Sequence, residues 1–178
     1  GLAYPLAVTG VAQAAFPAQA NGSLVRDADG RVIGSALIGQ AFAKPEYFHG
    51  RPSAAGNGYD AAASSGSNMG PLNDKLIDRE QADAAALRAE NPGAIIPADA
   101  VTTSASGLDP DISPANARFQ APRIAKARGV RENDVTALID GQVQQPLLGF
   151  IGQPRVNVLA LNRALDARFP PNTSQKGG

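Results

Sequence analysis

Cysteine is absent from this sequence, and histidine occurs only once, as His49. The lack of cysteine excludes a disulfide framework, thiolate zinc sites and cysteine nucleophiles, and one histidine is too few for a histidine-rich metal site. Basic and acidic residues balance at 16 each, and aromatic residues make up only 5% of the chain. Because nucleic-acid binding needs a basic surface and stacking platforms, the composition predicts neither a nucleic-acid partner nor a metal.

Sequence patterns that mark catalytic sites are also missing. No G-x-x-x-x-G-K-[ST] phosphate loop occurs, and the G-x-S-x-G pattern of serine hydrolases is not matched. A hydrolase would have to pair Ser67 with His49, and no acid that would orient the histidine can be named. Asp109 and Asp111 lie two apart, so in an extended segment their carboxylates would point to opposite faces. The residues alone therefore predict a domain with no catalytic residues.

The chain of 178 residues is long enough for one domain with a sizeable core, and its 19 Gly and 14 Pro predict many turns. Strand-like runs at 23–26 and 31–38 flank an Asp-Gly turn, which predicts a β-hairpin. Helices are expected at 71–90, after Ser113, at 135–143 and at 158–169. Strands that precede a series of helices favour an α+β fold.

The predicted helix at 71–90 is densely charged. Its apolar positions are expected to share one face; they are Leu72, Leu76, Ile77, Ala84 and Leu87. Acidic and basic residues alternate over the rest of its surface, which is typical of a solvated face. We therefore interpret this helix as structural.

The first 16 residues are apolar. A helix of about 16 residues would reach about 24 Å, which is short of the roughly 30 Å hydrocarbon core of a bilayer. The segment lacks the basic residues that open a secretory signal, and it does not begin with Met. Two interpretations remain: an amphipathic segment packed on the domain, or the second half of a membrane helix.

Residues 45–73 form a long stretch of loop-type residues without a clear period. Long loops inside compact domains are uncommon and are often functional. One interpretation is a flexible linker, which the many Gly, Ser and Asn residues would suit. A flexible tether has no need of large side chains such as Tyr47, Phe48, Tyr59 and Met69. We therefore favour an ordered loop that contacts a partner.

The stretch 101–123 has the strongest local signals in the chain. Val101, Thr102 and Thr103 are β-branched and predict a short extended entry. Ser113 followed by Pro114 predicts a helix start, because the hydroxyl can cap a free N–H and Pro loses no hydrogen bond at the first helical position. Small apolar residues then recur on one helical face; they are Ala117, Ala121, Ile124 and Ala125.

The polar residues Ser104, Ser106 and Asp109 precede that helix. The simpler interpretation is a turn whose side chains cap their own backbone. The sharper interpretation is an anion or phosphate contact near the helix N-terminus, with Arg123 as a guanidinium partner. Both interpretations remain open at this point.

Several longer stretches resemble the C-subunit family of the Kdp potassium-transporting ATPases. The stretches are GLAYPLAVTGVAQAAFPAQANGSLV, FHGRPSAAG, SSGSNMGPLN, VTTSASGLDPDISPANA, QAPRIAKARG and GFIGQPRVNVLALN. They follow the chain in one order and cover essentially its whole length. The resemblance is therefore highly specific.

The resemblance implies a non-catalytic accessory subunit of an ATP-driven complex for high-affinity potassium uptake in the bacterial inner membrane. Its partners would be a potassium-channel-like subunit and a separate ATP-hydrolysing subunit. The accessory subunit would support assembly and raise the affinity of the ATP-hydrolysing subunit for ATP. No cofactor is expected to be firmly bound, and ATP is the one ligand that the resemblance suggests.

The resemblance also implies a topology. Residues 1–16 would be the C-terminal part of a single N-terminal membrane helix, and residues 17–170 a soluble α+β domain on the periplasmic face. Residues 171–178, which begin with the second proline of a Pro-Pro pair, are expected to form a frayed tail.

Two sets of candidate site residues follow. By resemblance, the nucleotide contacts would be Ser104, Ser106, Gly107, Leu108, Asp109, Gln120 and Arg123. The residues expected to contact a partner are Tyr47, Phe48, Arg51, Tyr59, Ser67, Asn68 and Met69. The alternative to an accessory subunit is a stand-alone nucleotide-binding module that uses the Ser104–Asp109 turn and Arg123.

Overall fold

The computed structural model describes residues 1 to 171, and the chain divides into two compact units, residues 1–38 and a second unit that begins at Gly39. The described residues contain helices, two small antiparallel sheets and long irregular stretches. The α+β prediction is therefore confirmed. The predicted frayed tail lies outside the described residues, except for Pro171.

The first unit begins with helix α1 (Ala3–Ala15) and the short helix α2 (Pro17–Ala20). The apolar start of the chain thus forms a helix. None of its residues is buried within the chain, and Leu2 and Tyr4 are about four-fifths exposed, at 81% and 79%. Between residues 1 and 171, no helix combines the length and the apolar character needed to cross a bilayer. The assignment of α1 to a membrane helix stays a prediction.

A β-hairpin completes the first unit. Strand β1 (Leu24–Arg26) pairs antiparallel with β2 (Val32–Ser35). Asp27 accepts the N–H groups of residues 29 and 31 at 3.0 and 2.8 Å, and Gly30 has a φ of 80°, which Gly adopts without strain. The predicted hairpin is confirmed. Its second strand ends at Ser35 and not at Ile38, because the hydroxyl of Ser35 turns the chain by accepting the N–H of Leu37.

Four α-helices build the described part of the second unit. They are α3 (Asp74–Glu90), α4 (Pro114–Arg128), α5 (Glu132–Gln142) and α6 (Val158–Arg168). Ser113 and Asn157 cap α4 and α6 by accepting backbone N–H groups at 3.0 Å, as their residue types predict. Gly129 ends α4 in the left-handed conformation.

The core lies where α4, α5 and α6 meet. Its fully or almost fully buried residues include Ala117, Ala121, Ile124, Val135, Ile139, Leu161 and Leu165. The small apolar face predicted for α4 is therefore confirmed. Strands β3 (Asp111–Ile112) and β4 (Val156–Asn157) pair antiparallel beside it. Two residues are too few to show a strand period in sequence, so this sheet was not predicted.

The extended entry predicted at Val101–Thr103 is wrong. A 3₁₀ turn (Ala98–Ala100) precedes these residues, and no strand includes them. The N–H groups of Val101 and Thr102 both donate to the carbonyl of Ala98, and the Thr102 hydroxyl donates to the same oxygen at 2.9 Å. These local bonds outweigh the β preference of the side chains.

The apolar face predicted for the helix at 71–90 needs correction as well. Helix α3 begins at Asp74, so Leu72 lies before it and is 89% exposed. Ile77 is also exposed, and α3 has no fully buried residue. Two of its charged residues, Asp83 and Glu90, line the cleft of the candidate site.

Candidate functional site

Five consecutive residues, Pro45 to His49, have all their carbonyl groups bound by helix side chains. We call Pro45–His49 the clamped segment. Arg123 donates to the carbonyls of Pro45 and Tyr47, Arg128 to Glu46, Asn162 to Phe48 and Gln120 to His49. The donors come from α4 and α6. Side chains therefore do for this loop what a neighbouring strand does in a sheet.

Two buried side-chain amides each bind the backbone N–H and the carbonyl of one residue in the clamped segment. Asn162 accepts the N–H of Phe48 at 2.8 Å and donates to its carbonyl at 2.9 Å. Gln120 does the same for His49, at 2.8 and 3.1 Å. Both amides are almost inaccessible, at 2% and 4% exposure. Since the Phe48 side chain is fully buried in the core, the segment is held by its backbone and its side chain together.

Arg128 secures the start of the clamped segment. Its side chain is fully buried and bonds the carbonyl of Phe169 at 2.8 Å and the carboxylate of Asp166 at 2.7 Å. The guanidinium also lies 4.9 Å from the centre of the Tyr47 ring, within range of a cation–π contact. Burial and the neighbouring carboxylate of Asp166, which accepts the phenol hydroxyl, raise the pKa of Tyr47.

A second set of contacts joins the following loop to the residues 102–109, which we call the polar turn. Arg51 forms an ion pair with Asp109 at 3.0 Å and donates to the carbonyls of Thr102 and Thr103 at 3.3 and 3.2 Å. The hydroxyl of Ser53 donates to the carbonyl of Gly107 at 2.6 Å. The loop and the turn are therefore joined by charged and neutral hydrogen bonds.

Gly107 is required by this packing. Its φ is +66°, and a Cβ at this position would lie 2.6 Å from the backbone nitrogen of Ala55 and from the carbonyl oxygen of Ser65. Within the turn, Ser106 accepts the N–H of Leu108 at 3.1 Å and Asp109 accepts that of residue 111 at 3.0 Å. These bonds are the self-capping that the simpler interpretation of the turn expects.

Tyr59 holds the loop that carries Arg51 and Ser53. Its hydroxyl donates to the carbonyl of Arg51 at 2.6 Å, and its N–H donates to Ser53 at 2.7 Å. Burial raises the pKa of Tyr59 to about 12, with Asp109 adding to the rise and Arg51 opposing it. The phenol is thus a protonated donor over the physiological pH range.

A cleft of about 440 Å³ opens between the residues 41–59, α3 and α4. Its polar lining comprises His49, Arg51, Ser53, Tyr59, Asp83, Glu90, Asn116, Gln120 and Arg123. His49 lies with its Nε2 3.0 Å from the carbonyl of Lys44, so Nε2 carries the hydrogen. Burial, and then the positive charge of Arg123, lower the pKa of His49. The imidazole in the cleft is therefore neutral at physiological pH.

The residues predicted to contact a nucleotide fall into two groups. Gln120 and Arg123 line the cleft, whereas Ser104, Ser106, Gly107 and Leu108 lie in the polar turn and do not line it. Asp109 approaches the cleft only through its ion pair with Arg51. The structure therefore does not bring the predicted set together at a single pocket.

Arg123 is occupied by protein acceptors. Besides the two carbonyls of the clamped segment, it bonds the carboxylate of Glu90 at 2.8 Å and the amide oxygen of Gln120 at 2.7 Å. Four of the five N–H groups of a guanidinium are thus used within the chain. Only one N–H group therefore remains for a further acceptor, so a bidentate contact between Arg123 and a phosphate would have to displace one of these partners.

The residues predicted to contact a partner differ in exposure. Asn68 and Met69 are exposed, and Ser67 is half-buried. Tyr47, Arg51 and Tyr59 are half-buried and bonded within the chain, and Phe48 has no exposed surface. The loop is ordered by internal contacts, as expected of an ordered loop, but most of its large side chains face inward.

Several site residues were not singled out from the sequence. Glu90 was assigned to a solvated face, and the roles of Arg128 and Asn162 were not noticed. A signal existed in α4, where Asn116, Gln120 and Arg128 recur at multiples of four residues with Ile124 between them. This spacing places a polar stripe on the buried side of a helix, and buried polar groups require partners.

Comparison with known proteins assigns this clamped α+β domain to a class. The sequence model of the family described as "K+-transporting ATPase, c chain" matches residues 1–167. The site thus belongs to a subunit of a potassium-transporting ATPase. Since the match covers most of the chain, the chain belongs to the KdpC family.

Individual relatives agree with the family assignment. A protein of Caulobacter vibrioides named "Potassium-transporting ATPase KdpC subunit" is 86% identical over 178 residues, which are 100% of this chain and 90% of the relative. Proteins of the same name from Beijerinckia indica and Myxococcus xanthus are 61% and 60% identical over 96% of this chain, and over 87% and 82% of their own lengths. The predicted resemblance is confirmed.

Proposed function

We propose that this chain is a non-catalytic accessory subunit that supports assembly of an ATP-driven, high-affinity potassium uptake complex. Its partners are a potassium-channel-like subunit and an ATP-hydrolysing subunit. In the assembled complex it raises the affinity of the ATP-hydrolysing subunit for ATP. The role fits the family to which the chain belongs.

The observation that supports this proposal is that the arginine side chains of the cleft are bonded to other groups of the chain. Arg51 pairs with the carboxylate of Asp109, and Arg123 pairs with that of Glu90. Both arginines also donate to backbone carbonyls. A catalytic or ligand-binding arginine needs donors that are available to the ligand. Here the donors hold a loop in place, which favours a rigid scaffold that acts through contacts with other proteins.

Location in the bacterial inner membrane is part of the proposal. Residues 1–22 contain no charged side chain, and α1 presents its apolar residues outward. An uncharged apolar helix favours an apolar environment. We propose that α1 belongs to a single-pass anchor and that the second unit lies on the periplasmic side.

The accessory role is tested by comparing the complete ATPase complex with the same complex lacking this subunit. We expect the ATP concentration that gives half-maximal ATPase activity to rise when the subunit is absent. Readdition of the wild-type subunit should restore the lower value. An unchanged half-maximal concentration would contradict the proposed effect on ATP affinity, and undiminished recovery of the other subunits without this chain would contradict the proposed role in assembly.

A stand-alone nucleotide-binding module is the second candidate function. The cleft favours it, since its volume of about 440 Å³ falls in the range typical of small-molecule sites, roughly 300–1,000 Å³. In this hypothesis the Ser104–Asp109 turn and Arg123 contact the nucleotide. Arg123 and Gln120 line the cleft, and the turn is joined to it by the ion pair of Asp109 with Arg51.

Calorimetric titration of ATP into the chain tests this alternative. The matched control for Arg123→Ala is Arg118→Ala, which alters an arginine of the same helix that pairs with Asp140 outside the cleft. Saturable binding that is lost in Arg123→Ala and kept in Arg118→Ala would support a nucleotide site. Absence of saturable binding to the wild-type chain would contradict it.

A further inference from the structure

The segment that joins α5 to β4 carries a cluster of exposed large apolar residues. We call Leu147–Ile151 the apolar tip. Exposure is 68% for Leu147, 74% for Leu148, 75% for Phe150 and 52% for Ile151. Single exposed apolar residues are common, whereas contiguous groups mark interaction surfaces. The other large apolar residues exposed in the described part of this unit are scattered along it, at Met69, Leu72, Ile77 and Ile95.

The apolar tip has a fixed shape. The backbones of Leu147 and Ile151 exchange hydrogen bonds of 3.1 and 2.9 Å, and those of Gln144 and Arg155 exchange bonds of 2.8 and 3.1 Å at its base. Leu148 has a φ of 55° and Gly149 a φ of 81°. Turns with two successive positive φ values favour Asn-Gly, and a leucine in this conformation is strained. Strain that is kept at an exposed apolar residue supports a functional hypothesis for that residue.

The electrostatic surroundings discriminate between the surfaces that could cover the tip. No charged residue occurs from 141 to 154. The flanking Asp140 and Arg155 form ion pairs with Arg118 at 2.6 Å and Asp111 at 2.9 Å. Segments that bind anionic membranes carry clusters of Lys or Arg. A rigid, uncharged apolar knob without such a cluster fits a preformed apolar crevice in a protein.

We propose that the apolar tip docks into an apolar crevice on another subunit of the same ATPase complex. Phe150 and Leu148 are its anchors, because they are the two most exposed of the four residues and large apolar side chains supply most of the affinity of such contacts. This inference rests on the proposed function, since it requires the chain to assemble with other subunits.

The test uses the complete set of subunits produced together in bacterial cells, with an affinity tag on this chain. The recovery of the other subunits is measured for the wild type and for the double variant Leu148→Asp/Phe150→Asp. Ile95→Asp is the matched control, because Ile95 is 92% exposed and lies outside the tip. In parallel, a photo-reactive phenylalanine analogue replaces Phe150, and the cross-linked product is identified by mass spectrometry.

Loss of the anchors should lower recovery at least ~10-fold, since hot-spot residues contribute about 2 kcal/mol or more and 1.4 kcal/mol is a factor of ten. The control should retain wild-type recovery, and the photo-reactive group should cross-link to another subunit. Wild-type recovery by the double variant would overturn the proposal, as would cross-links confined to lipid or to a second copy of this chain. If the wild-type chain itself recovered no other subunit, the proposed function would fail instead.

Discussion

The clamped segment and the apolar tip are two irregular loops in the same unit, and they differ in whether their large apolar side chains are buried or exposed. The clamped segment buries Phe48 completely and has every carbonyl bound by a helix side chain. The apolar tip pairs the backbone of Leu147 with that of Ile151 and exposes the side chains of Leu148 and Phe150. A loop that uses the polar side chains of its neighbours is part of the core. A loop that needs none of them is available to another molecule.

The largest expected effect is on the clamped segment. Phe48→Ala should lower the free energy of unfolding by about 3–5 kcal/mol, because it removes a fully buried aromatic ring and leaves a cavity. The matched change at the apolar tip, Phe150→Ala, should alter it by no more than about 0.5 kcal/mol. Urea unfolding of both variants measures the difference. Equal losses of stability would contradict the distinction between a buried and an exposed loop.

The second largest loss of stability is expected when the buried guanidinium of Arg128 is removed. Arg128→Met should lower the free energy of unfolding by about 3 kcal/mol, because the carbonyls of Glu46 and Phe169 lose their donor and Asp166 its ion-pair partner. The surface variant Arg118→Met removes an exposed ion pair and should cost at most about 1 kcal/mol. Denaturation curves that show the same loss for both variants would contradict the clamp.

Acidic pH should lower the stability of the fold, because His49 in the clamped segment titrates. The pKa of His49 lies below its ordinary value of 6.5 in the fold, so between these two values the unfolded chain binds a proton that the folded chain does not. The free energy of unfolding should therefore decrease as the pH falls through 6.5.

The variant His49→Gln tests this pH effect. It keeps a donor for the carbonyl of Lys44 and removes the titrating group, so its stability should fall less between about pH 7.5 and about pH 5.5. Thermal unfolding at several pH values measures the two slopes. Parallel slopes for the wild type and the variant would show that His49 is not the responsible group.

The smallest expected change in stability has the opposite sign. Leu148→Asn should raise the free energy of unfolding by about 0.5–1 kcal/mol, because asparagine tolerates the positive φ that strains leucine. Gly149 stays in place, so the turn keeps its favoured Asn-Gly pair. The measurement is thermal unfolding beside the wild type, and a lower melting temperature would contradict the assignment of strain to Leu148.

The elements that sequence predicts correctly are those with a strong local signal. The caps at Ser113 and Asn157 and the small apolar face that includes Ala117 and Ala121 all follow from residue type and spacing. The hairpin follows from its Asp-Gly turn. Each of these features can be predicted from local chemistry without knowledge of a tertiary contact.

The candidate site depends on contacts that are distant in sequence. Phe48 meets Asn162 across 114 residues, and Arg123 meets Glu90 across 33. No periodicity or propensity encodes such pairs. At Val101–Thr103 the expected extended entry is replaced by local bonds to the carbonyl of Ala98, and a distant residue, Arg51, also binds the carbonyls of Thr102 and Thr103.

The comparison of the two loops implies that stability and assembly are carried by different residues. The most direct test is to measure Leu148→Asn twice, once for its melting temperature and once for the recovery of the other ATPase subunits. We predict a higher melting temperature together with a lower recovery. Full recovery of the other subunits by this variant, at any melting temperature, would contradict the separation of a structural loop from a docking loop.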